Sequence, residues 1–167
     1  METLALLKQQ IAGARREMQG VMNDVSQEMA HWQPPGVANP IVDLFVHAVI
    51  GQDRLVHTRL QGKAPLIDQW TERLKVPADF RHTPEVARSL NIDISLLKQY
   101  GEAVFAAVDS YLAGLKEADL DRMVEGFRGP VPMANQLSTT LVTHVFEHAG
   151  EISAIKGCQG AKGYATG

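Results

Sequence analysis

The sequence predicts an all-α domain, a four-helix bundle with two long crossover connections. Four stretches place apolar residues at steps of three and four, the period of one helix face. Between them, residues 61–81 and 116–135 lose that period and collect glycine and proline. Asn39-Pro40 and Thr83-Pro84 each read as a capping residue followed by proline, a helix start. A chain of 167 residues suits one domain and can bury a full core without disulfide staples.

The first stretch runs from Glu2 to Ala30, with Leu4, Leu7, Ile11, Ala14, Met18, Val21, Val25 and Met29 on one stripe. It predicts one unbroken amphipathic helix of roughly 40 Å at about 1.5 Å per residue, packed nearly antiparallel in the bundle. Pro34, Pro35 and Gly36 end it, since proline cannot continue a helix. Asn39 as cap and Pro40 as first helical residue then open a second helix to about Leu60. Ile41, Leu44, Phe45, Ala48, Val49, Gln52 and Leu55 form its inner stripe, and His47 lies on the flank. Gly51, one turn beyond His47, suits either close helix packing or room for a ligand. His57, beside Asp53 and Arg54, reads as a surface histidine.

The first connection, Gln61 to Arg81, is expected to hold a turn of helix near Ile67 to Leu74, and Trp70 to pin it to the bundle or close over a site. After a short helix at Thr83, a third long helix starts at Asn91 or Asp93 and runs to about Leu115, with Ile94, Leu97, Gly101, Val104, Val108, Tyr111 and Leu115 inward. Phe105, Ala106 and Leu112 fall beside that stripe. With the regular first helix they suggest more apolar surface than one bundle buries, hence a homodimer. Lys116 to Asn135 reads as an irregular second crossing. The fourth helix is Ala134 to Cys158, with Gly157 as its stop and a glycine-rich tail beyond.

On that fourth helix Leu137, Leu141, His144, His148, Ile152 and Ile155 share one stripe, which puts two imidazoles in the middle of a core-facing surface. Positions four apart bring Cβ atoms to about 6 Å, so both rings can converge on one cation. The same pair is equally compatible with core histidines satisfied by hydrogen bonds. His144-Val-Phe-Glu147-His148 matches the inverted zinc-protease string, but that chemistry needs a far downstream ligand, and only 19 residues follow His148. A third ligand must therefore come from upstream, and His47 on the second helix is the candidate. Three histidines leave a coordination position open for water or substrate. Glu147 and Glu151, flanking the histidines, are candidates for holding an imidazole N–H or moving a proton, or are ordinary helix carboxylates.

A net charge of −3, with 16 basic and 19 acidic side chains spread along the chain, gives no phosphate-neutralising patch and argues against nucleic acid as partner. No uncharged run is long enough to span a membrane, and Lys8, Arg15, Arg16 and Glu17 interrupt any signal-like segment. The single cysteine, Cys158, and six methionines fit a reducing cytoplasm.

Trp32-x-Pro-Pro-Gly36, then Asn39-Pro-Ile-x-x-Leu-x-x-His47, then His144-x-x-Glu-His-x-Gly-Glu-Ile152 together resemble the DinB-like superfamily. These are four-helix bundles related to YfiT-like metal-dependent hydrolases and to bacillithiol and mycothiol transferases. The resemblance implies His47, His144 and His148 as ligands of nickel, zinc or iron, and a dimer. Where relatives often carry Gln after H-x-G, this chain has Glu151. The implied function is a metal-dependent thiol transferase or hydrolase acting on a small molecule or low-molecular-weight thiol. The alternative is a non-catalytic metal-binding bundle serving in stress response.

Overall fold

The apolar stretches fold as four long helical rods in the computed structural model, which describes residues 2–77, 80, 83–126 and 128–164. The first rod is α1 (Thr3–Met22), with α2 (Gln27–His31) after a short break. The second is α3 (Ile41–Asp53), continued by a π-helical turn over Arg54–Arg59. In the first connection Leu66–Gln69 forms a 3-10 turn, followed by α4 (Thr71–Leu74) and α5 (Pro84–Ser89). Its predicted end, Arg81, lies outside the described residues. The third rod is α6 (Ile94–Ala113). The fourth joins α7 (Met133–Ser138), a second π-helical turn over Thr139–Thr143, and α8 (His144–Cys158). The all-α bundle expectation holds, with α8 packed on both α1 and α3, and α3 also on α6.

The first helix is not continuous, contrary to its apolar period. Lys98 Nζ donates to the carbonyls of Asn23 and Val25 at 3.3 and 3.1 Å, and Lys156 Nζ donates to that of Val21 at 3.0 Å. Two lysines from other rods thus take carbonyls that a longer α1 would have kept for itself. Asp24 balances Lys156, and that bond holds the Asp24 carboxyl below its usual range. Ser26 then restarts the helix by accepting from Met29 N at 3.2 Å. Val25 is still buried, which is why the stripe looks unbroken in the sequence. The antiparallel expectation is met against α6, where Arg15 pairs with Asp109 and Gln19 with Glu102.

The other caps follow simple side-chain chemistry. Thr83 accepts from Val86 N and Asp93 from Leu96 N, both as their positions suggest. Pro40, at φ −68° and ψ 156°, is itself the cap of α3, so the helix begins one residue later than expected. Glu117, from the second crossing, accepts from Thr3 N and Leu4 N at 2.9 and 3.0 Å and caps α1. That crossing is more ordered than its composition suggested. Its glycines and prolines frame an antiparallel hairpin of β1 (Met123–Gly126) and β2 (Gly129–Pro132), closed by Gly126 opposite Gly129.

Helix α3 is apolar on nearly every side and is buried on nearly every side, including two carboxylates, Asp43 and Asp53. Asp53 is fully satisfied. It accepts from the Tyr100 hydroxyl at 2.6 Å, from Leu66 N and Ile67 N at 2.9 and 2.8 Å, and pairs with His57 Nδ1 at 2.7 Å. His57 is therefore not the surface histidine that the sequence suggested; only 14% of its side chain is exposed. Trp70 stacks 5.6 Å from Tyr100 under Arg73, so it pins the connection to the bundle. Phe105 and Leu112 are 3% and 5% exposed within the chain, and only Ala106 of that group faces outward.

Burial, reinforced by Asp53, raises the Tyr100 hydroxyl far above its usual range. The unfolded chain ionises at about pH 10, the folded chain later. The contribution of Tyr100 to stability is thus complete below about pH 10 and is lost as pH rises beyond it. Urea midpoints should fall above about pH 10, and fall less in Tyr100→Phe.

Candidate metal centre

Helix α8 reaches its position through the π-helical turn at Thr139–Thr143. Leu137, Leu141, Ile152 and Ile155 are buried as expected, but between them the core positions are Val145 and Ala149 instead of His144 and His148. The two histidines are half-buried at the edge of the core, which corrects the expectation that they stand in the middle of its apolar face.

From that edge they meet His47. Its Nε2 lies 3.0 Å from His144 Nε2, and His148 Nε2 also lies 3.0 Å from His144 Nε2. The rings are 4.4 to 5.0 Å apart, and one nitrogen from each falls within 4.8 Å of the others. Helices α3 and α8 run antiparallel here, since His47 faces both histidines while Gly51, one turn later, faces His144. An imidazole nitrogen carries either one hydrogen or one lone pair, so His144 Nε2 has a single in-line hydrogen bond to offer two neighbours. A shared cation satisfies all three. Bonds of about 2.0–2.1 Å at angles of roughly 90–110° would put ligand nitrogens about 2.9–3.4 Å apart, which fits the two 3.0 Å spacings about His144.

The carboxylates divide into three kinds. Glu151 Oε2 lies 2.6 Å from His148 Nδ1, which holds that nitrogen as the donor and leaves Nε2 its lone pair. Glu147 is exposed and is not part of this contact. Asp43, one turn before His47, escaped the sequence reading. It is fully buried, and burial raises its carboxyl to about 7, with His148 opposing and Glu151 reinforcing the rise. The signal that could have found it is its place on a helix apolar all round, where a charged residue has no solvated face to occupy.

Beside His47 and His144 opens a cavity of about 370 Å³. Gly51 lines it, and a Cβ built there would lie 3.5 Å from His144 Cε1, so the absent side chain serves packing against the imidazole and room beside it at once. That distance is ordinary contact. Gly51→Ala should therefore keep the triad and gain about 0.5–1 kcal/mol of stability, as alanine does in a helix. Gly51→Leu should push His144 aside and abolish metal uptake. Elemental analysis and urea titration of both variants check this.

The family model described as the DinB superfamily matches residues 10–152, covering all three histidines. The chain belongs to the DinB superfamily. A solved structure titled as a conserved protein from Enterococcus faecalis shares this DinB fold with a TM-score of 0.80 and 22% identity, over 93% of this chain and 96% of that one. No curated protein matches. The motifs at Trp32–Gly36, Asn39–His47 and His144–Ile152 that resembled this superfamily all lie within the matched residues.

Proposed function

We propose that this DinB protein is a divalent-metal-dependent enzyme, a thiol transferase or hydrolase of a small molecule, with nickel, zinc or iron held by His47, His144 and His148. The observation that carries this is the convergence of three Nε2 atoms beside a ligand-sized cavity that two of the histidines, His47 and His144, line. A divalent ion there supplies Lewis acidity toward a water or thiol at its open position. The chain's own residues do the rest. Glu151 orients His148 and, with 54% of its side chain exposed, can pass a proton to solvent. Glu147 remains a proposed proton acceptor only from its place on α8. Thr139 and Thr140 offer hydroxyls on the cavity wall, of which Thr140 already accepts from Gln136 at 2.9 Å.

Elemental analysis of purified protein should find one divalent ion per chain, released on acidification because only neutral imidazoles hold a metal. Thiol transfer to a generic electrophile should then follow metal content. A metal-free protein indifferent to chelator and to added nickel or zinc would sink the proposal. Metal binding without turnover of either reaction would favour the non-catalytic, stress-response reading.

A homodimer is a separate proposal. Phe105 and Leu112, which first suggested it, are covered within one chain, so its support is the family resemblance. Light scattering should read about twice 18.3 kDa.

A further inference from the structure

The cavity beside the triad has a charge pattern of its own. Two of its lining residues are Arg54 and Arg59, both on the π-helical turn that extends α3. Among the described residues no aspartate or glutamate lines it, although the chain as a whole is acidic. The carboxylates of the centre lie elsewhere, Glu151 on His148 and Asp43 near both, while the cavity opens on His47 and His144. Among the described residues, two positive groups and two of the candidate ligands, His47 and His144, therefore face one space, while Glu151 and Asp43 lie outside its lining. Between them the wall is apolar, formed by Ile50, Leu55 and Phe80.

The π-helical turn is what makes this arrangement. In a regular helix residues 54 and 59 are five apart and diverge around the axis; an i→i+5 turn brings such residues one above the other. Arg54 also donates to the Phe80 carbonyl at 3.1 Å, which sets the plane of its guanidinium and ties the connection to the cavity. Both arginines have other interactions within the protein. A guanidinium carries five donors in a fixed fork, so a ligand oxygen can share it with protein acceptors.

We propose that the cavity binds a small carboxylate with an apolar body, its carboxylate on Arg54 and Arg59 and its other end at the His47–His144 edge. The inference rests on the metal-centre reading only for what happens at that edge. The two guanidiniums at one end and the histidine edge at the other, with Ile50, Leu55 and Phe80 between them, match a ligand with an anionic end and an apolar body. A phosphate, more heavily charged, would shed more hydration against Ile50, Leu55 and Phe80 than a carboxylate does.

The test is calorimetric titration of the full chain with hexanoate, hexanamide and hexylamine, as purified and after chelator treatment. Hexanoate should bind at least about tenfold more tightly than hexanamide, in line with one charge-assisted hydrogen bond, with hexylamine weakest. Arg59→Gln, at an exposed position that leaves the core alone, should lose that tenfold for hexanoate and change hexanamide little. Arg54→Gln should do the same, with circular dichroism checking that the tie to Phe80 has not cost the fold. Equal binding of hexanoate and hexanamide overturns the proposal. So does hexanoate binding that disappears with the metal and ignores both arginines. Protein that carries no metal as purified and takes up no added nickel or zinc, yet binds hexanoate through Arg59, would sink the metal reading and leave this one standing.

Discussion

Replacing His144 with alanine is expected to remove the bound metal altogether, so that a desalted His144→Ala protein retains none while the parent retains one ion per chain. His144 is the middle of the triad, 3.0 Å from each of its partners, and without it His47 and His148 have no nitrogen between them. Loss of an outer-shell partner alone weakens metal sites by roughly 10–100-fold, and loss of a ligand must do more. Metal at about 100 times its dissociation constant stabilises a folded chain by about 2.7 kcal/mol, so the rise in melting temperature on adding nickel or zinc should vanish in the variant. His31→Ala is the control: His31 bonds to Gln27 on α2, away from the triad, and should leave both metal content and the shift intact. An unchanged metal-dependent shift in His144→Ala would show that the ligands are other residues.

How much of this was legible depended on whether a feature is local. Apart from the break after α1 and the later start of α3, the rods, the caps at Thr83 and Asp93, and the turn near Ile67 to Leu74 follow from period and capping chemistry within a few residues, and they appear where expected. The cluster of three histidines was legible too, because His144 and His148 share a helix and His47 stands out on its neighbour. What could not be seen was set by residues far apart in the chain. The end of α1 is decided by Lys98 and Lys156, more than 70 residues away. The π-helical turn at Thr139–Thr143 has no composition cue, and neither does the choice of Val145 and Ala149 over His144 and His148 as core positions beyond it.

Buried charge was the second blind spot. Asp43 and Asp53 look like exposed helix acids when each is considered singly, and His57 follows Asp53 to the surface in that view. Considered with their neighbours, they interrupt a helix from Ile41 to Val56 that is apolar on every side, which leaves burial as the outcome. Burial then demands partners, and for Asp53 they come from Tyr100 on α6 and from the backbone of the first connection. The metal centre inherits its frame from these contacts. Asp53 is the last residue of α3, directly before the turn that carries Arg54 and Arg59, and it anchors the segment leading on to Phe80.

Asp53→Ala should accordingly be the most damaging single change outside the triad. It strips the acceptor from a buried phenol, two backbone N–H groups and an imidazole at once, all between 2.6 and 2.9 Å from the carboxylate. Each donor left without a partner costs about 1–3 kcal/mol, and the costs do not simply add because the connection can shift to find water. A loss of about 3–5 kcal/mol is expected, a large share of the 5–15 kcal/mol that holds a typical domain together. Asp53→Asn keeps the shape and one oxygen but turns an amide donor toward other donors, so its loss should be smaller, about 1–3 kcal/mol. Urea titration at fixed metal content measures both, and the order of the two variants matters as much as their size. If Asp53→Ala falls within about 1 kcal/mol of the parent, or Asp53→Asn is the worse of the two, the carboxylate is not what fastens the first connection to α3 and α6.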